Sequence, residues 1–164
     1  MKARRILLVS LAVLFLVLSN LSYALAEEYD AMKGVNSVNV MFDMRDGNPQ
    51  TAIIHLNLIH DTYKDFVAMK KNPVAVVVFM ASAVKLISTD HRGFKAEDEN
   101  SLKEIAGIIS KMSKAGIRVE VCLFAAKVFG VEPTSILPEI KRVGNGWISE
   151  IGYQERGYSL VPVY

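Results

Sequence analysis

The segment Val74-Ala75-Val76-Val77-Val78-Phe79-Met80 has no polar side chain at any position. No other stretch of the chain limits the fold as tightly. A strand with one face in water alternates apolar and polar residues, whereas one that is apolar throughout must be covered on both faces. The run follows Lys71-Asn72-Pro73, a helix-ending sequence. It predicts a central strand with helices above and below it, and Val76 and Val78 at the middle of the core.

The flanking segments fit that frame. Val38 to Met44 is largely apolar and predicts a first strand. Arg45-Asp46-Gly47-Asn48-Pro49 then supplies a turn and a helix start, with Asn48 as cap and Pro49 at the first helical position. Ala52, Ile53, Leu56, Ile59, Tyr63, Phe66 and Val67 recur at helical spacing and predict a helix over Gln50 to Lys70. Ala81 to Leu86 reads as a short helix or loop. Ser101-Leu102-Lys103-Glu104 reads as a capping box that opens a helix to about Lys114, with Gly116 just beyond its end. Ile117 to Cys122 alternates apolar and polar residues and leads into a helical Leu123 to Val128. Trp147 to Glu155 predicts a short helix. Gly157 to Val163 predicts a last strand, at a sheet edge because of Pro162. Strand and helix alternate four or five times. The expected class is α/β, a three-layer α/β/α domain around a mostly parallel sheet of four or five strands. In such folds ligands bind at the carboxyl edge of the sheet. Three segments should meet there: Asp43 to Asn48, Ala81 to Lys85, and Cys122 with the residues after it. Asp43, Asn48, Ser82 and Lys85 are therefore the candidate ligand-binding residues.

The N-terminus carries a different signal. Lys2, Arg4 and Arg5 precede an apolar run from Ile6 to Leu18, a more polar stretch, and Ala24-Leu25-Ala26. This tripartite pattern predicts a secretory signal peptide over residues 1–26, a lead-in over 27–37, and one domain over 38–164. The expected location is the periplasm, with no membrane attachment once the leader is removed. The alternative is an uncleaved anchor, since Ile6 to Leu25 approaches the length of about 20 residues that a membrane helix needs. The leader holds three of the 19 Lys and Arg and none of the 17 Asp and Glu, so cleavage takes the formal charge from +2 to −1. A nearly neutral chain without a basic block offers no electrostatic case for nucleic acid.

Motifs for common cofactors and nucleophiles are missing: no GxGxxG, Walker A loop, GxSxG or CxxC occurs. His55 and His60 stand five apart on the expected helix, not at the four-residue spacing that sets two imidazoles on one metal. No metal and no cofactor is expected. The methionines fit core filling, and Glu97, Asp98 and Glu99 fit a solvated face. Asp43 lies late in an apolar strand, where a carboxylate needs a partner. It either caps the Asp46 to Pro49 turn through backbone amides, the reading preferred here, or faces a ligand. Cys122 is the single cysteine, so no internal disulfide is possible. It falls at a strand end just before a helix, where amides favour a reactive thiolate. Free cysteines also pack as small buried hydrophobes, and both readings stay open.

Taken in order, several pieces resemble the DsrE/DsrF-like family in its exported branch. They are Phe42-Asp43-Met44-Arg45-Asp46-Gly47-Asn48-Pro49, the Pro73 to Met80 strand followed by Val84-Lys85-Leu86-Ile87, and Gly116-Ile117-Arg118-Val119-Glu120-Val121-Cys122. The tail adds Leu137-Pro138, Val143-Gly144-Asn145-Gly146 and Tyr153-Gln154-Glu155-Arg156-Gly157-Tyr158. The resemblance implies a three-layer domain that assembles into homo-oligomers. It also implies, for some members, sulfur carried as a persulfide on the cysteine matched by Cys122, exchanged with a donor or acceptor protein. Lys85, on the neighbouring loop, is expected to assist the thiolate. The competing expectation is a non-catalytic oligomeric domain that binds a small ligand or a protein and keeps Cys122 as a structural residue.

Overall fold

The computed structural model describes residues 29–164. The expected signal peptide and the first residues of the lead-in lie outside them. Tyr29 to Val35 forms a unit of its own, with a single 3-10 turn at Asp30–Met32 and an exposed Lys33–Asp30 ion pair of 2.6 Å. The rest, from Asn36 onward, is the α/β domain.

Five strands form one sheet: β1 (Asn39–Met44), β2 (Val74–Phe79), β3 (Arg118–Cys122), β4 (Lys141–Val143) and β5 (Ser159–Val163). Their order is β4-β3-β2-β1-β5 and every pairing is parallel. The expected class is therefore the observed one. β2 lies at the centre, and Ala75 to Phe79 are all buried. Val76 and Val78 are in the core as expected.

Helix α1 (Pro49–Ala68) starts where the turn chemistry placed it. Asn48 Oδ1 accepts from Thr51 N at 2.9 Å, and Pro49 takes the first turn, where a missing N–H costs nothing. Helix α2 (Glu99–Lys114) packs beside α1 and buries Leu102, Ile105, Ile108, Ile109 and Met112. Gly116, at φ 93°, ends it in the left-handed conformation that glycine adopts without strain. The Ser101 capping box does not form, because the helix begins two residues earlier. Its entry is tied down by Asp98 instead, which accepts from Lys95 N at 3.3 Å and from Gln50 Nε2 of α1 at 2.8 Å. Glu99 pairs with His91 at 2.8 Å and Lys103 at 3.2 Å. The loop acids are thus partnered rather than merely solvated.

The chain runs β1-β2-β3-β4 in one direction and then returns to the far side of β1 for β5. With right-handed crossovers, that return puts α4 (Gly146–Glu155) on the opposite face of the sheet from α1 and α2. The six-residue α3 (Leu123–Val128) follows β3 directly. β5 is an edge strand as expected, with Ser159 to Pro162 exposed and Val163 buried. Among the described residues, no helix is long and apolar enough to cross a membrane.

Candidate functional site

Parallel registry decides which side chains share a face. Asp43 of β1 aligns with Val78 of β2, and Val78 aligns with Glu120 of β3. Because neighbours in register point to the same side, Asp43, Val78 and Glu120 form one lateral row on the face that α4 covers. Cys122 lies two residues beyond Glu120, so it points to this same face at the carboxyl edge.

Glu120 is 1% exposed and fully partnered. Ser149 Oγ donates to Oε2 in a short hydrogen bond, and Tyr153 Oη donates to Oε1 at 2.8 Å. Arg118 and Lys141 stand 3.9 and 3.6 Å from Oε1. These contacts fasten the middle of α4 to β3. Tyr153 has its phenol pushed up by burial and by its bond to Glu120.

Asp43 is 4% exposed and bonds to Arg45 Nε at 2.5 Å. It does not cap the following turn. Asp46 does that, accepting from Asn48 N at 2.9 Å. Arg45 Nη2 also reaches Glu150 Oε2 of α4 at 3.8 Å. The Asp43 carboxylate, its principal partner, raises the Arg45 pKa further. Ser82 Oγ donates to Arg45 O at 3.2 Å, and Gly47 packs so closely on Ser82 that a Cβ there would meet its Oγ at 2.7 Å. Ser82 and Asp43 therefore hold Arg45 in place.

Cys122 is 2% exposed. Its Sγ accepts from Gly146 N at 3.2 Å and Ala125 N at 3.4 Å. The first donor starts α4, and the second lies in the first turn of α3. Gly146 is needed for space: a Cβ would lie 2.1 Å from Met80 Sδ and 3.0 Å from Cys122 Cβ. Ala81, at φ 46°, turns the chain sharply as it leaves β2 beside this contact. Around the thiol lies a cavity of about 290 Å³, lined by Arg45, Met80, Cys122, Phe124, Phe129 and Trp147 among others. Arg45 is its one charged wall residue, and Phe124, Val128 and Trp147 are exposed at its rim.

The other candidate residues lie elsewhere. Asn48 is an exposed helix cap. Lys85 lies over the Phe94 ring, 5.7 Å from its centroid, and lines a separate polar cleft with Ser88, Asp90 and Arg92. It does not line the Cys122 cavity, where the cation is Arg45. Nothing in the sequence marks Glu150 as part of the site. A larger cavity of about 490 Å³ opens between α1 and β5, but its walls are Val40, Phe42, Leu58, Phe66, Val161 and similar residues. His55 is its only ionisable side chain apart from Tyr164, so the chemistry points to Cys122 despite the smaller volume. Among the described residues, no three His, Cys, Asp or Glu side chains converge as a metal site.

Comparison with known proteins agrees with this architecture. A protein of unknown function from Methanobacterium thermoautotrophicum, MTH1491, superposes with a TM-score of 0.61 at 15% identity, over 77% of this chain and 100% of its own. The ychN protein of E. coli gives 0.54 at 12% identity, over 77% and 99%. A conserved protein of unknown function from Bacteroides thetaiotaomicron, BT1422, gives 0.51 at 18%, over 76% and 94%. At these identities the likeness is one of fold. None of the curated proteins compared with the chain matches it. The DsrE/DsrF-like family matches residues 38–162, from the first strand to the last, and the chain belongs to that family.

Proposed function

We propose that this protein is an exported sulfur carrier that holds a sulfane sulfur as a persulfide on Cys122. One observation carries the reading. The single thiol of the chain forms part of a cavity wall at the carboxyl edge of the sheet, with two backbone N–H groups directed at its sulfur. Such donors satisfy a sulfur anion without a counter-charge. The step is an exchange without net oxidation. The Cys122 thiolate attacks the outer sulfur of a persulfide, the donor's S–S bond breaks, and the donor leaves as a thiolate. The new S–S bond leaves Cys122 carrying S–SH, and a partner thiol removes that sulfur by the same exchange. The apolar rim of Phe124, Val128 and Trp147 suits a protein donor or acceptor.

Export and self-association belong to the same proposal. The basic and apolar N-terminal pattern supports the first, and N-terminal sequencing should find Glu27. Exposed Leu58, Leu160, Val161 and Tyr164 support the second, and light scattering should exceed the mass of one chain.

The second reading is a binding domain with a structural cysteine, favoured by the deep burial of Cys122 and its apolar surroundings. Alkylation separates the two. The carrier reading expects Cys122 of the folded protein to react with a small alkylating agent. Reaction only after denaturation would favour the structural cysteine.

A further inference from the structure

Two buried carboxyl groups flank Arg45, and each has one oxygen without a hydrogen-bond donor: Asp43 Oδ1 and Glu150 Oε1. Their residues are 4% and 8% exposed. The contrast with Glu120 in the same row is informative, since Glu120 bonds through both oxygens. A buried acceptor left unpaired is costly, and a second carboxylate beside it is more so. Arg45 supplies one positive charge for both, at 2.5 Å to Asp43 and 3.8 Å to Glu150. What the cluster lacks is a donor. A proton on one carboxyl, shared with the other, supplies it and removes the excess charge. In keeping with this, burial, the Asp43 charge and the hydrogen bond that such a proton makes to Asp43 push Glu150 up to about 7, against the pull of Arg45.

Glu150 lies four residues after Gly146 on α4, and the Gly146 N–H rests on Cys122 Sγ. The helix that answers to the carboxyl pair is thus the helix that covers the thiol. We propose that Asp43 and Glu150 hold one proton that seats α4 on the sheet, and that its loss lifts the Gly146 end and opens Cys122. The pair thereby gates access to the thiol. Glu150 is a positioning residue in this scheme, which rests on the reading of Cys122 as a working thiol. The charged groups around it are few. β1 and its loop contribute Asp43 and Arg45, and the Tyr164 side chain lies near Arg45. β3 and β4 contribute Glu120, Arg118 and Lys141, which are engaged with one another. β2 contributes none.

The test is the alkylation rate of Cys122 in the purified protein from pH 5 to 9, for the parent and for Glu150→Gln. The amide can donate to Asp43 as the protonated acid would, and it cannot lose a proton in this range. The ratio of parent to variant rates cancels the ionisation of the thiol itself. It should rise severalfold through about pH 7, and a ratio constant across the range would overturn the proposal. If the variant does not fold, the infrared band of a protonated carboxyl in the parent decides. Loss of that band near pH 7 supports the scheme, and its absence from pH 5 upward defeats it. Sulfur uptake, read by mass on the same samples, bears on the carrier reading alone. A pH step without uptake would refute the carrier and leave the gate.

Discussion

An alanine at position 146 would place its Cβ 2.1 Å from Met80 Sδ and 3.0 Å from both Met80 Cε and Cys122 Cβ. Comfortable contacts between such atoms lie at about 3.5–4.0 Å, so the thioether must retreat by roughly 1.5 Å or the start of α4 must lift. Met80 is 5% exposed and hemmed in by its neighbours, although its unbranched chain can partly adapt. Overpacking of this kind costs about 1–3 kcal/mol. Alanine returns at most about 1 kcal/mol over glycine as a helix former, and less at the first helical residue. Gly146→Ala should therefore destabilise the protein by about 1–2 kcal/mol. Urea unfolding should show a lower midpoint with an unchanged slope. Met80→Ala empties the space that the new methyl needs, so a double-mutant cycle should recover about 1 kcal/mol of coupling. Lifting α4 also takes the Gly146 N–H off Cys122 Sγ, and alkylation of the folded variant should quicken severalfold. A variant as stable as its parent, with the parent's alkylation rate, would refute the contact.

Two further outcomes follow from the lateral row and its helix. Val78→Asp sets a third carboxylate between Asp43 and Glu120 at a fully buried position. The penalty of several kcal/mol should prevent folding, and a soluble variant with the parent's melting curve would show the strand register to be wrong. Stability should also depend on pH through Glu150. Its carboxyl rises from 4.5 to about 7 on folding. The folded chain thus holds that proton more tightly than the unfolded one. The resulting stabilisation is complete below about pH 4.5 and is lost as pH rises through 7. Allowing for solvent screening, the loss is on the order of 1–2 kcal/mol. Chemical denaturation at pH 5 and pH 8 should reveal it, and Glu150→Gln should remove that component; a parent equally stable at both pH values would contradict the assignment.

The all-apolar strand, the Asn48-Pro49 helix start, the Leu123 to Val128 helix and the edge position of Pro162 were legible because each rests on local chemistry. Cys122 was legible as a strand-to-helix junction for the same reason. The site around it was not, because it is assembled by topology. β5 returns beyond β1, and only that return carries α4 across Asp43 and Glu120. Nothing near Glu150 in sequence announces a partner at Asp43. The alternation of Arg118, Glu120 and Cys122 marks a common face, but not that a helix buries it. Arg45 carried a faint signal, standing two residues after Asp43 at a strand end. The sequence places Lys85 on a loop near Cys122, but the 3-10 turn from Ala81 to Ile87 carries it toward Phe94. β4 is not legible in the sequence because three residues, two of them cationic, make no hydrophobic pattern.

The proposed sulfur carriage by Cys122 is read from the intact mass of the protein after incubation with a persulfide donor. The parent should gain one sulfur atom, removed by a thiol reductant, and Cys122→Ala should gain none. An unchanged parent mass, with the donor still active toward a free thiol, would contradict it.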